Sequence, residues 1–262
     1  MNYLDTQLQV IQGEELTEFD PLTGTLAIGT GYLVGSLAFF FLLVGSMINS
    51  LKTDKPLTDK INAILNSGNR WVVHRFPDKS PNAFALGMGR HVFVTDGLIK
   101  LLSERELEAV LLHEVHHNKN KDTYKQLAYK HSFFYLIAFL ALSTNSFPLA
   151  ILVFLLLTRV NDIAHARLLG RRAEAKADRH AVEHGYAKDL ISALEKIDNF
   201  VKQQMRKKPC GKICQIERKL SEMIDEHPTT KKRVELILRQ ADKLTKLKTF
   251  KRIKNTLVRI MK

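Results

Sequence analysis

Three histidines and a glutamate fall within five positions of "EAVLLHEVHHNKNKD", residues 108–122. On an α-helix, residues four apart differ by only about 40° around the axis, so the imidazoles of His113 and His117 project together and can share one metal ion. Glu114 falls at about 100°, beside His117, where a carboxylate reaches a water held at such an ion; His116 falls at about −60°, on the far side. The pattern His-Glu-x-x-His therefore predicts two metal ligands and a general base, with His116 a neighbour. Catalytic zinc usually takes three protein ligands and keeps one position for water, so a further ligand must come from another segment.

"RRAEAKAD" supplies the candidates, Glu174 and Asp178, again four apart on one helical face. One carboxylate can bind the metal while the other, a turn away, accepts the outer N–H of a ligating histidine and fixes its orientation. Spacing alone does not choose between them.

Taken together, four segments resemble a known family. "HEVHHNKNKD" fits His-Glu-x-x-His-x-x-Asn-x-Asp and "RRAEAKAD" fits Arg-x-x-Glu-x-x-Ala-Asp, with "NAFALG" before and "HPTTKKRVELI" after. In this order they resemble the membrane-bound gluzincin proteases that include the HtpX heat-shock protease and the CaaX prenyl endopeptidases. The likeness runs from about Asn82 to Ile237. It implies one Zn2+ per chain held by His113, His117 and Glu174, with Glu114 as general base and Asp178 supporting a ligand. It also implies that His227 and Arg233 face the substrate, and that Asn82 and Ala83 begin the edge strand on which an extended peptide pairs. Asn120 and Asp122 match positions that are read as structural.

These residues need elements to position them. "RWVVHRF" and "HVFVT" read as strands flanking the turn-rich "PDKSPNAFALGMGR". Ser103, with Glu106 three residues on, is a capping box that starts the helix of the metal motif, which runs to about Lys121. A polar helix follows from Asn161 to about His184, closed by Gly185, and another from about Ala187 to Met205. The fold class expected is α+β and predominantly helical: a zincin-type metalloprotease domain with a small β-sheet and an N-terminal transmembrane helix.

The transmembrane reading rests on Pro21–Leu51, which contains no charged residue. About 20 apolar residues cross a bilayer, and the acidic N-terminal flank lacks the basic start of a signal peptide. Lys52, Lys55 and Lys60 follow the anchor and nothing basic precedes it, which places the C-terminal bulk in the cytoplasm. A second uncharged stretch, 131–158, is interrupted by the turn "STNSFP" and offers arms of about 12 residues, roughly 18 Å each. If it crossed a membrane once, Glu174 would lie opposite His113 and His117. It must therefore return to its starting side. The chain divides into an acidic segment 1–20, an anchor 21–51, a connector 52–70, a protease domain 71–237 and a tail 238–262.

The formal net charge of +13 is concentrated in the tail: from Phe200 onward there are 19 Lys and Arg against 6 Asp and Glu. Leu244, Leu247, Phe250, Ile253, Leu257 and Ile260 recur every three or four residues between the basic ones. This basic amphipathic helix suits an anionic lipid surface or packing on the domain. No nucleic-acid-binding motif accompanies the charge, and no nucleic acid is expected as a partner. Cys210 and Cys214 are the only cysteines, in keeping with a reducing compartment. The function expected is a membrane-anchored zinc metalloendopeptidase acting on protein or peptide substrates. The alternative is a catalytically silent, membrane-tethered homologue serving as scaffold or sensor.

Overall fold

The structure, a computed structural model, describes residues 20–66, 71–87, 89–144, 146–207 and 229–260. His227, Cys210 and Cys214 lie outside these residues. Helices dominate, and one small mixed sheet accompanies them, so the fold class is α+β and predominantly helical.

Helix α1, Pro21–Ser50, begins where Asp20 accepts hydrogen bonds from the backbone N–H groups of Leu22 and Thr23, both at 3.0 Å. Pro21 occupies the first helical position, where its missing N–H costs nothing. Strand β1, Lys52–Thr53, runs antiparallel to β2, Val72–Phe76, and helix α2, Lys55–Leu65, lies between them in sequence. Asp54 caps α2 by accepting from Leu57 N–H at 3.1 Å. Strands β3, Ala83–Ala85, and β4, His91–Thr95, form a hairpin, and β4 lies parallel to β2. The sheet order is β1-β2-β4-β3, so β3 is an edge.

Thr95 ends β4 and starts helix α3, Asp96–Leu101; its Oγ1 accepts from Leu98 N–H at 3.2 Å. Helix α4, Glu104–Lys119, opens with the expected capping box, in which Ser103 N–H donates to Glu106 at 2.7 Å. Glu106 is buried and also accepts from Lys196 Nζ at 2.7 Å. Burial alone would raise its pKa, but Lys196, Ser192 and the cap lower it to about 2.

Helices α5, Asp122–Leu142, and α6, Phe147–His165, are separated within the stretch 143–148 read as a turn. They are longer than the uncharged arms suggested, at about 31 and 28 Å for 21 and 19 residues. Helical hydrogen bonding continues through the charged flanks, so lack of charge underestimates helix length. The polar helix expected to begin at Asn161 is instead the end of α6. A π-helical turn, Ala166–Gly170, follows, and then α7, Arg171–Glu183. Gly185, at φ +90°, closes α7 and sets off helix α8, Ala187–Lys207. Helix α9 runs from Thr230 to Ile260.

The chain clusters into two compact units. One comprises described residues up to Phe39 together with Tyr129–Val160. Within it Gly29 lets α1 approach α5, since a Cβ there would collide with the Tyr135 ring. His131, buried on α5, shares a 2.7 Å hydrogen bond with Ser36 on α1, and Tyr32 stacks on Phe134 at 4.4 Å. Much apolar surface is left open here, including Val34, Phe39, Leu152 and Leu156. Pro21–Ser50 and the helical run that begins at Phe147 are long and apolar enough to cross a membrane, with mean hydropathies of 2.0 and 1.8.

The other unit holds Phe40–Ala128 and the chain from Asn161. Its core joins α2, β2, β4, α3, α4, α7 and α8 through Ile61, Val73, Val92, Leu98, Leu111, Leu112, Ala181 and Leu190. Burial of this apolar surface fixes α4 between the sheet and the helices that follow.

Candidate metal centre

Helix α4 is pinned from both sides. Asn118 donates to the carbonyl of His91 at 3.1 Å, tying the helix to the sheet. On the other flank α7 presents Ala177 and Ala181, both fully buried, where small side chains permit close approach of the two helices. That approach brings Glu174 to the two histidines.

Nε2 of His117 lies 3.1 Å from Nε2 of His113 and 3.1 Å from Glu174 Oε1, and Nε2 of His113 lies 3.5 Å from Glu174 Oε2. Bonds of about 2.0–2.1 Å to a tetrahedral zinc would set ligand atoms about 3.3–3.4 Å apart, close to these separations, which involve both oxygens of Glu174. Among the described residues these three form the one group of His, Cys, Asp or Glu ligand atoms gathered within 4.8 Å. His116 is not in it; its ring lies 5.4 Å from that of His180.

Each imidazole is oriented from behind. His113 Nδ1 is 2.9 Å from Asp178 Oδ1, and His117 Nδ1 is 2.9 Å from Asp122 Oδ2. A carboxylate at Nδ1 holds the proton there and turns the Nε2 lone pair toward the metal position. The resemblance gives Asp122 only a structural part, whereas in the structure it contacts Nδ1 of His117. It lies just past the end of α4, so helical periodicity does not place it near His117. The left-handed Lys121, at φ +56°, turns the chain back. An acid five residues beyond the second histidine was the available signal.

Burial opposes protonation of His117, but Asp122 and Glu174 outweigh it and raise its pKa to about 10. Burial likewise opposes protonation of His113, and Glu174 and Asp178 outweigh it, so its pKa is also raised. Burial would raise the pKa of Asp178, yet His113 and Arg233 lower it.

Arg233, buried on α9, donates from Nε to Asp178 Oδ2 at 3.0 Å and from Nη2 to Oδ1, and its Nη1 is 3.3 Å from Glu174 Oε2. Its guanidinium thus bridges the two α7 carboxylates. Glu114 is half-buried and lines a cleft of about 650 Å³ with His113, Asn82, Ala83 and Arg233. Thr95 N–H donates to Asn82 O at 3.0 Å, so Asn82 turns its carbonyl toward β4. By strand alternation Ala83 turns its backbone N–H and C=O outward at the sheet edge.

Comparison with known proteins follows the same segments. The pattern described as Peptidase family M48 matches residues 55–241. A protease HtpX homolog of Pyrococcus abyssi is 33% identical over 125 residues, covering 37% of this chain and 43% of that protein. One from Campylobacter concisus is 28% identical over 191 residues, covering 62% and 65%. The chain thus spans from under half to just under two thirds of the length of these curated relatives. The crystal structure of S. mikatae Ste24p superposes with a TM-score of 0.59 at 20% identity, covering 81% of this chain and 58% of that one, a likeness of fold.

Proposed function

The chain belongs to peptidase family M48, and from that premise we propose that it is a membrane-anchored zinc metalloendopeptidase hydrolysing peptide bonds of membrane or misfolded proteins. The observation that carries this reading is the convergence of His113, His117 and Glu174 beside the cleft that Glu114 lines. Two imidazoles and a carboxylate form a donor set suited to zinc, and each imidazole has its own carboxylate behind it.

When bound, zinc supplies Lewis acidity at the scissile carbonyl and a water whose pKa falls to about 7. Glu114 takes the proton of the attacking water and returns it to the leaving amine. Asp178 and Asp122 hold the histidines in their ligating orientation. Ala83, with Asn82 before it, pairs with the extended substrate and presents one peptide bond to Glu114. His227 and Arg233 stabilise the developing negative charge on the carbonyl oxygen, a role typically worth roughly 3–4 kcal/mol for one donor.

Residues 21–51 serve as anchor and 71–237 as the protease domain, from which the hairpin 131–158 leaves and to which it returns. Lys52, Lys55 and Lys60 keep that domain in the cytoplasm, and the basic tail 238–262 meets anionic lipid. The purified full chain and its Glu114→Gln variant test the mechanism. Both should carry one zinc per chain, and only the parent should degrade casein. A variant that degrades casein at the parental rate would refute Glu114 as general base.

A further inference from the structure

Among the described residues, five lysine and arginine side chains line the cleft, and their surroundings differ. Arg233 pairs with Asp178 and Glu174 and is already assigned to the carbonyl oxygen, and Lys202 pairs with Asp198 at 2.5 Å. Lys231 and Lys232 stand exposed on the first turn of α9. Arg171 is the exception: its Nε is shut off from solvent and has no hydrogen-bond partner among the described residues. Nor does any ion pair among them involve it. A shielded guanidinium N–H without an acceptor is costly, and such groups call for an explanation.

Its place in the fold supplies one. Arg171 begins α7, three residues before Glu174, so the two share a helical face. Long helical side chains lean toward the N-terminus, which carries the guanidinium about one turn away from Glu174 along the cleft wall. A group met there belongs to the substrate one or two residues from the bond under attack. Among the described residues the cleft lining carries the acids Glu114 and Asp198 against five lysine and arginine side chains, an excess of positive charge.

We propose that Arg171 is a substrate-binding residue that receives a carboxylate of the peptide, making the cleft selective for an acidic group near the scissile bond. This rests on the protease reading above. The planar fork of arginine matches a carboxylate with two parallel hydrogen bonds, which a neutral amide does not reproduce. The carboxylate comes from an acidic side chain or from a free C-terminus.

The test uses zinc-loaded full-length protein carrying Glu114→Gln, so that peptides bind without being cut. Fluorescent casein-derived peptides carry a single Glu or Gln at successive positions, with a free or amidated C-terminus. Fluorescence anisotropy should show about tenfold tighter binding of one Glu peptide over its Gln counterpart, falling to within about twofold when Arg171→Gln is added. If the C-terminal carboxylate is the ligand, the same contrast separates free from amidated peptides. Arg171→Lys should restore part of it, and zinc content should not change. Equal binding of all peptides by the parent, or a preference that survives Arg171→Gln, overturns the proposal. Cleavage of the same peptides by the chain with Glu114 intact reports on the protease reading separately.

Discussion

The carboxylates behind His113 and His117 do similar work with different consequences. Asp178 is shared between His113 and the buried guanidinium of Arg233, whereas Asp122 serves His117 beside the exposed Lys125. Asp178→Ala should therefore lower zinc affinity by about 10–100-fold and also cost roughly 3–5 kcal/mol of stability, because a buried charge loses its partner. Asp122→Ala should show a comparable loss of zinc affinity with a much smaller loss of stability. Chelator competition and thermal unfolding of both variants check this, and equal destabilisation would contradict it. A proton accompanies the metal. Two Nε2 atoms 3.1 Å apart need one of them to donate, and His117, with a pKa of about 10, holds its proton through neutral pH in the apoprotein. That raised pKa stabilises the apoprotein below the ordinary histidine range, and the contribution disappears as pH rises through about 10. Zinc binding at pH 7.5 should thus release about one proton, and apparent affinity should rise about tenfold per pH unit. Calorimetry in buffers of different ionisation enthalpy measures the release; heats independent of buffer would exclude it.

At the scale of elements, the capping box, the two strands and the Gly185 stop are local signals, and each appears where local chemistry requires it. Two features were not local. The π-helical turn Ala166–Gly170 leaves no mark in periodicity, because its extra residue is absorbed between two helices. Membership of β3 in the sheet likewise depends on β4 lying beside it. If β3 pairs with substrate, its outward backbone groups matter more than its side chains. Ala83→Pro removes an outward N–H and spares the ladder to β4, a position where edge strands tolerate proline. The variant should lose about tenfold or more in kcat/KM, retain zinc, and unfold near the parental temperature. Unchanged peptide kinetics would argue against pairing on this edge.

For the whole molecule, the informative fact is that His113 and His117 precede the α5–α6 excursion and Glu174 follows it, yet all three meet. In a membrane, both flanks of the excursion must then lie on one side. With Cys210 and Cys214 replaced by serine, Lys121→Cys and Lys176→Cys should react with an impermeant maleimide from the same face of sealed vesicles. Both side chains are exposed, so access is not limiting. Labelling from opposite faces would be incompatible with a shared metal. The protein should also resist alkaline carbonate extraction, as expected for α1 and for the open apolar faces of α1 and α6.

Sequence alone determined whatever depends on neighbours a few residues apart. Helical spacing puts His113 and His117 on one face with Glu114 beside them, Ser103 and Glu106 mark the start of α4, and composition marks the apolar α1. The assignment of Glu174 over Asp178 came from a resemblance, since both occupy one helical face and spacing treats them alike. Tertiary structure separates them: packing of α7 on α4 puts Glu174 opposite the Nε2 atoms and Asp178 behind His113 at Nδ1. The reversal at Lys121 recruits Asp122, and the arrival of α9 places Arg233 between the two carboxylates, while Arg171 Nε has no partner among the described residues. These outcomes depend on distances between segments tens of residues apart, which burial of the shared core sets and no local pattern encodes.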